Sequence, residues 1–106
     1  MELNFVLSVV NRDKEEDMVA IYKEQDLHLV LTMLAKGTAS HHHLSLHDLV
    51  STEKTIVAAV ADAKKTEQIL LDAKRKLFID IPGNGVMLAV PLKSVGGGRT
   101  LAYLTD

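Results

Sequence analysis

Two glycine-rich turns flank one apolar run near the end of this chain: Pro82-Gly83-Asn84-Gly85 precedes Val86 to Pro91, and Gly96-Gly97-Gly98-Arg99-Thr100 follows it. Glycine takes up positive φ without steric cost and asparagine tolerates it, so turns of this composition can aim successive N–H groups into one concavity. Such concavities bind anions. Arg99 and the Thr100 hydroxyl add a charge and a donor, so a phosphate- or carboxylate-sized group is the ligand chemistry to expect. For Gly83 to Gly85 alone, a tight connection between a helix and a strand is the plainer reading.

A second constellation lies mid-chain in Ser40-His41-His42-His43-Leu44-Ser45-Leu46-His47-Asp48. Neutral imidazole is a ligand for zinc, copper or nickel, and His43 and His47, four residues apart, would share a face if the segment turned helical. His41, His42, His43 and His47 are therefore the candidate metal ligands, with a solvated polar loop as the alternative. Free imidazole titrates near pH ~6.5, so neighbouring rings would repel one another in mild acid. No nucleophile, base and orienting acid occur together, so an enzyme is not expected.

Composition narrows the partners. The net charge of -2 gives no basic face for nucleic acid, and the absence of cysteine removes disulfides and thiolate metal sites. Ile56 to Ala61, the longest apolar run, falls far short of the roughly 20 residues that cross a bilayer. Met1 to Phe5 has no cationic start of a secretory signal, so a cytoplasmic location without membrane insertion is expected. At 106 residues and 47% hydrophobic content, the chain reads as a single domain with a real core.

Periodicity supplies the elements that hold these residues. Residues 3 to 10 read as a strand apolar on both faces, through Phe5, Val6, Leu7, Val9 and Val10. Asp13 with Glu16 forms a capping-box pattern ahead of a helix that buries Met18, Ile21 and Tyr22. His28 to Ala35 and Thr55 to Val60 are further strands, and residues 62 to 77 form a second helix with Ile69, Leu70, Ala73 and Leu77 inside and Lys74, Arg75 and Lys76 near its end. Val86 to Val90 is a fourth strand, and Thr100 to Leu104 a short edge strand.

The order βαββαβ predicts an α+β, ferredoxin-like sandwich: an antiparallel sheet with two helices on one face. Strands apolar on both sides then need a cover for the other face. Other copies of the chain are the economical one, so a cyclic homo-oligomer is expected.

With that order, Lys36-Gly37 after the second strand, Gly83-Asn84-Gly85 before the fourth, and Pro91 followed by Arg99-Thr100, the chain resembles the PII nitrogen-regulatory signal-transduction family across most of residues 1 to 100. The resemblance implies a homotrimer that binds ATP, ADP or AMP in clefts between subunits, and a loop, here residues 38 to 52, that docks on a partner protein such as a transporter or enzyme. It implies a sensor and not a catalyst.

Carried over by position, the ligand-binding residues are Gly37, Thr38, Ser40, Gly83, Asn84, Gly85, Arg99 and Thr100, and residues 96 to 106 form the tail. Five positions depart from the pattern. Val86 stands where the family carries a phosphate-directed lysine, Gly97 where it carries the first of two arginines, and Ala39, Ser40 and His41 where it carries glycine, arginine and the glutamine that helps hold 2-oxoglutarate. The only tyrosines, Tyr22 and Tyr103, lie outside the loop, so uridylylation there is not expected. A divergent, PII-like sensor of a smaller or less charged nucleotide is the resulting expectation, with a histidine-loop metal-binding trimer as the alternative.

Overall fold

A computed structural model of the chain describes residues 2–27, 29–37 and 53–100. The elements follow the expected order: β1 (Leu3–Asn11), a 3-10 turn (Arg12–Lys14), α1 (Glu15–Lys23), β2 (Leu31–Lys36), β3 (Glu53–Asp62), α2 (Ala63–Leu77) and β4 (Val86–Pro91). The strands form one sheet in the order β2-β3-β1-β4, antiparallel at every junction, with both helices on one face. This is the ferredoxin-like sandwich.

Strand pairing assigns each side chain to a face, because directly opposed residues in an antiparallel ladder point the same way. Val6, Ser8 and Val10 on β1 and Thr55, Val57, Ala59 and Ala61 on β3 are buried under the helices. There they meet Met18, Ile21 and Tyr22 of α1 and Ile69 and Ala73 of α2. These are the helix positions that the 3.6-residue period selects.

The opposite face carries three apolar rows. Leu31, Ala58, Leu7 and Leu88 form one; Met33, Ile56, Val9 and Val86 the next; Val60, Phe5 and Val90 the third. Among the described residues no helix lies over them. Leu31, Met33, Leu88 and Val90 remain 50–58% exposed as a result. Strand spacing and rise give this face roughly 320 Å², within the range of the largest apolar patches on soluble monomers, which are often functional.

Local chemistry explains most boundaries. Asp62 caps α2, its carboxylate accepting from the Lys65 amide at 2.8 Å, and Lys74, Arg75 and Lys76 occupy the last turn. At α1 the expected capping box is absent. Asp13 falls inside the 3-10 turn, Lys14 holds the cap position without a side-chain hydrogen bond, and the Glu15 amide bonds to the Arg12 carbonyl instead. The tighter i→i+3 turn takes up the amide that the side chain would otherwise have satisfied.

Other boundaries shift. β2 starts at Leu31, not at residue 28, and His28 lies outside the described residues. β3 runs on to Glu53 and Asp62 at its two ends, since ladder pairing continues through polar residues, with β2 at Glu53 and with β1 at Asp62. Thr100 belongs to a helical turn of residues 98–100, not to an edge strand, and Leu101 to Leu104 lie outside the described residues.

One polar cluster interrupts the core. The Tyr22 and Ser8 hydroxyls each lie 3.1 Å from the Val57 carbonyl oxygen and 3.1 Å from each other, fully buried. Burial pushes the Tyr22 hydroxyl up to about 12, with the Ser8 bond opposing part of the rise. Stability tied to the neutral hydroxyl is fully present below its ordinary value of 10 and is lost as pH climbs toward 12. Replacing Tyr22 with Phe is expected to cost about 1 kcal/mol at pH 7, because Ser8 keeps its carbonyl partner. Between pH 10 and 12 the wild type should lose about 2–3 kcal/mol more than the variant. Urea unfolding of both proteins across that range measures the difference.

Candidate functional site

The turn between α2 and β4 is built around the carbonyl of Phe78. That residue closes α2 in the left-handed conformation, φ 53°, and leaves its side chain 57% exposed. A bulky residue there carries backbone strain, which the surrounding hydrogen bonds hold in place. The Ile81 amide donates to the Phe78 oxygen at 3.0 Å, and the Asn84 side-chain amide donates to the same oxygen at 3.0 Å. The Asn84 backbone amide donates to the Ile81 carbonyl at 3.1 Å.

These bonds bear on the reading of Pro82-Gly83-Asn84-Gly85 as a turn that aims successive N–H groups into one concavity. Gly83 and Gly85 do adopt positive φ, 92° and 133°, but Asn84 does not. Its main-chain N–H is spent inside the turn. Asn84 therefore staples the turn, and the tight-connection reading accounts for it.

Gly85 is fixed by space as well as by φ. A Cβ built on it would lie 2.6 Å from the Val9 carbonyl oxygen and 3.0 Å from a Val10 methyl. The glycine lets the turn press against the end of β1. Beside it lies an open depression of about 370 Å³, lined by Leu70, Lys74, Ile79, Asp80, Ile81 and Val86 among others. Lys74 supplies a cation there. Asp80 and the carbonyl end of α2 oppose an anion at the same spot, so charge alone does not make this depression an anion site. Asp80 is solvent-exposed.

The other carried-over residues lie apart from this turn. Gly37 follows Lys36, which pairs with Glu53, while Lys54 pairs with Asn11 and Val9 with Val86. Gly37 and Gly85 thus share one end of the sheet but sit at opposite edges, about 14 Å apart across three strand spacings. The tail leaves β4 from the far end, where Pro91 pairs with Asn4 and the Leu92 amide bonds to the Leu3 carbonyl. Gly97 has φ 69°, Arg99 and Thr100 are exposed, and a Cβ at Gly96, Gly97 or Gly98 would meet nothing within 4 Å. Thr38, Ser40, His41, His42, His43 and His47 lie outside the described residues.

Among the described residues, no group of three or more His, Asp or Glu is placed to hold a metal ion, and no helix is long and apolar enough to cross a membrane. Sequence reasoning missed Phe78 and Arg12. A left-handed phenylalanine has no composition signal, and Arg12 gains meaning only from the strands that it reaches.

Neither a protein-family model nor a curated protein matches the sequence. Solved structures do match its shape. A PII-like signalling protein of Thermus thermophilus superposes with a TM-score of 0.68 at 15% identity, covering 93% of this chain and 95% of the other. The GlnK–ATP complex of B. subtilis gives 0.65 at 17% identity, covering 93% and 89%. CPII of Thiomonas intermedia, bound to ADP, AMP and acetate, gives 0.68 at 11% identity, covering 92% of each chain.

The two kinds of glycine in this region should respond differently to substitution. Gly85→Ala is expected to destabilise the protein by about 2–4 kcal/mol, from overpacking against β1 together with unfavourable φ. Gly97→Ala, in open space, should cost about 1 kcal/mol or less. Chemical denaturation of the two variants separates them. The architecture on which these residues sit is the fold of PII-like signalling proteins.

Proposed function

We propose that the chain is a PII-like regulatory protein: a homotrimer that senses a small anionic metabolite, of the adenine-nucleotide class, and controls a partner protein such as a transporter or enzyme. The observation that carries this reading is the apolar face of the sheet that no described element covers, with two of its three rows running through all four strands. Other copies of the chain bury it. The fold shared with signalling proteins, among them structures bound to ATP or to ADP and AMP, supports the assignment.

The ligand site is formed between subunits. Within one chain the glycine turn and the Gly96–Thr100 segment start from opposite ends of β4, roughly 17 Å apart along a six-residue strand. A single nucleotide meets both when one copy contributes Gly83 and Gly85, in the turn that Asn84 staples, and its neighbour contributes Arg99 and Thr100. Gly37 closes the same end of the sheet, with Thr38 and Ser40 following it as hydroxyl donors. Val86 and Gly97 bring no charge, so the nucleotide is one with fewer phosphates, AMP or ADP before ATP. The segment 38–52 reports occupancy to the partner, since a ligand shifts such a segment by favouring one of its states.

Light scattering coupled to size exclusion is expected to return three times the monomer mass of 11.6 kDa. Leu88→Arg, which sets a charge in the middle row of the apolar face on the edge strand β4, should shift the protein toward monomer. A monomeric wild type at micromolar concentration defeats the assembly. Calorimetry with AMP, ADP and ATP should show binding, strongest for the first two, and Arg99→Ala should weaken it about tenfold or more through loss of one charge-assisted contact. Absence of heat with all three nucleotides at millimolar concentration removes the ligand assignment.

A further inference from the structure

Arg12 leaves the end of β1 and reaches across the sheet to both strands of the β2–β3 hairpin. Its Nη2 donates to the Ala35 carbonyl of β2 at 3.3 Å, and its Nη1 lies 3.3 Å from the Glu53 carboxylate of β3. Those residues border the last rungs of the ladder, where Lys36 faces Glu53 and Ala35 faces Lys54. One position earlier on β1, the Asn11 side-chain oxygen accepts from the Lys54 ammonium. Both strands of the hairpin base are thereby tied to two consecutive residues, Asn11 at the end of β1 and Arg12 at the start of the 3-10 turn.

The sheet order gives the Ala35 bond its importance. β3 lies between β1 and β2, so no backbone ladder connects those two strands. The ion pair alone is weak, since the Arg12 and Glu53 side chains are 37% and 65% exposed. Arg12 acts through the combination, a planar guanidinium bridging a backbone carbonyl on one strand and a carboxylate on the next. On its other flank the same end of β1 supports the glycine turn, because the Gly85 backbone packs against the Val9 carbonyl and the Val10 side chain.

We infer that Arg12 is a positioning residue that clamps the base of the β2–β3 hairpin to the end of β1, coupling the last rungs of the hairpin to the α2–β4 turn. It rests on the proposed function only for its use: the segment assigned to the partner leaves from this base, and the turn assigned to the ligand leans on the same strand end. Position is transmitted through contacts that both regions share.

Hydrogen exchange on the full chain without ligand tests the clamp. In Arg12→Gln, amides of residues 34–36 and 53–55 are expected to exchange about tenfold faster, while those of 57–61 stay within about twofold of wild type. Arg12→Lys, which keeps the charge but not the planar fork, should give an intermediate rate at the same amides. Equal exchange in wild type and Arg12→Gln overturns the inference, and so does acceleration spread evenly over the sheet. Asn84→Ala, which loosens the turn, should alter exchange at 34–36 and 53–55 in the wild-type background and fail to do so beside Arg12→Gln. Strictly additive effects of the two substitutions would overturn the coupling. No nucleotide enters these measurements, so a protein that binds none loses the proposed ligand and keeps the clamp.

Discussion

A four-stranded sheet that is apolar on both faces cannot be covered by two helices from one side, and that mismatch organises everything else in this molecule. α1 and α2 bury Val6, Val10, Val57 and Ala61 through residues at helical spacing. The rows through Leu7, Val9 and Phe5 are left open. A chain of 106 residues has no further layer to offer within its described part, and hydrophobic burial is the dominant favourable term in association as in folding. The proposed assembly follows from this constraint, and the proposed ligand site follows from the assembly, because the residues that would grip a nucleotide are spread over both ends of one strand.

The second organising feature is the end of β1. Within four residues it carries the Val9 carbonyl that admits only a glycine at position 85, the Val10 side chain in the core, Asn11 bound to Lys54, and Arg12 bound to Ala35 and Glu53. Turn, core and hairpin base meet there. Few of these contacts are strong alone. Their shared attachment to a central strand, paired on both sides, keeps them in register.

Much of the architecture is legible in the sequence. The apolar run of β1 and the stripe of Met18, Ile21 and Tyr22 separate strand from helix, and the pair Asp62 and Leu77 marks the limits of α2. Boundaries that depend on backbone geometry are less legible. Asp13 and Glu16 have the spacing of a capping box, yet the chain enters α1 through a 3-10 turn, because backbone bonds compete successfully with side-chain ones at a helix start. Thr100 carries a strand-forming side chain, yet it stands in a helical turn, since intrinsic β preference yields to context beyond the last ladder pair.

Of the site, residue type by itself made positive φ available at Gly83 and Gly85, and the unbroken apolar run of residues 3 to 10 by itself called for a sheet with two apolar faces. Only the tertiary structure decided what those glycines are for. Gly85 is needed because β1 passes too close for a Cβ, and Asn84 spends its amides on Phe78 and Ile81 instead of pointing them outward. The same holds for Arg12, whose partners lie 23 and 41 positions away along the chain, the latter being 53 minus 12. Local preference is written in neighbouring residues, whereas close approach and cross-strand contact depend on segments that meet only once the sheet has formed.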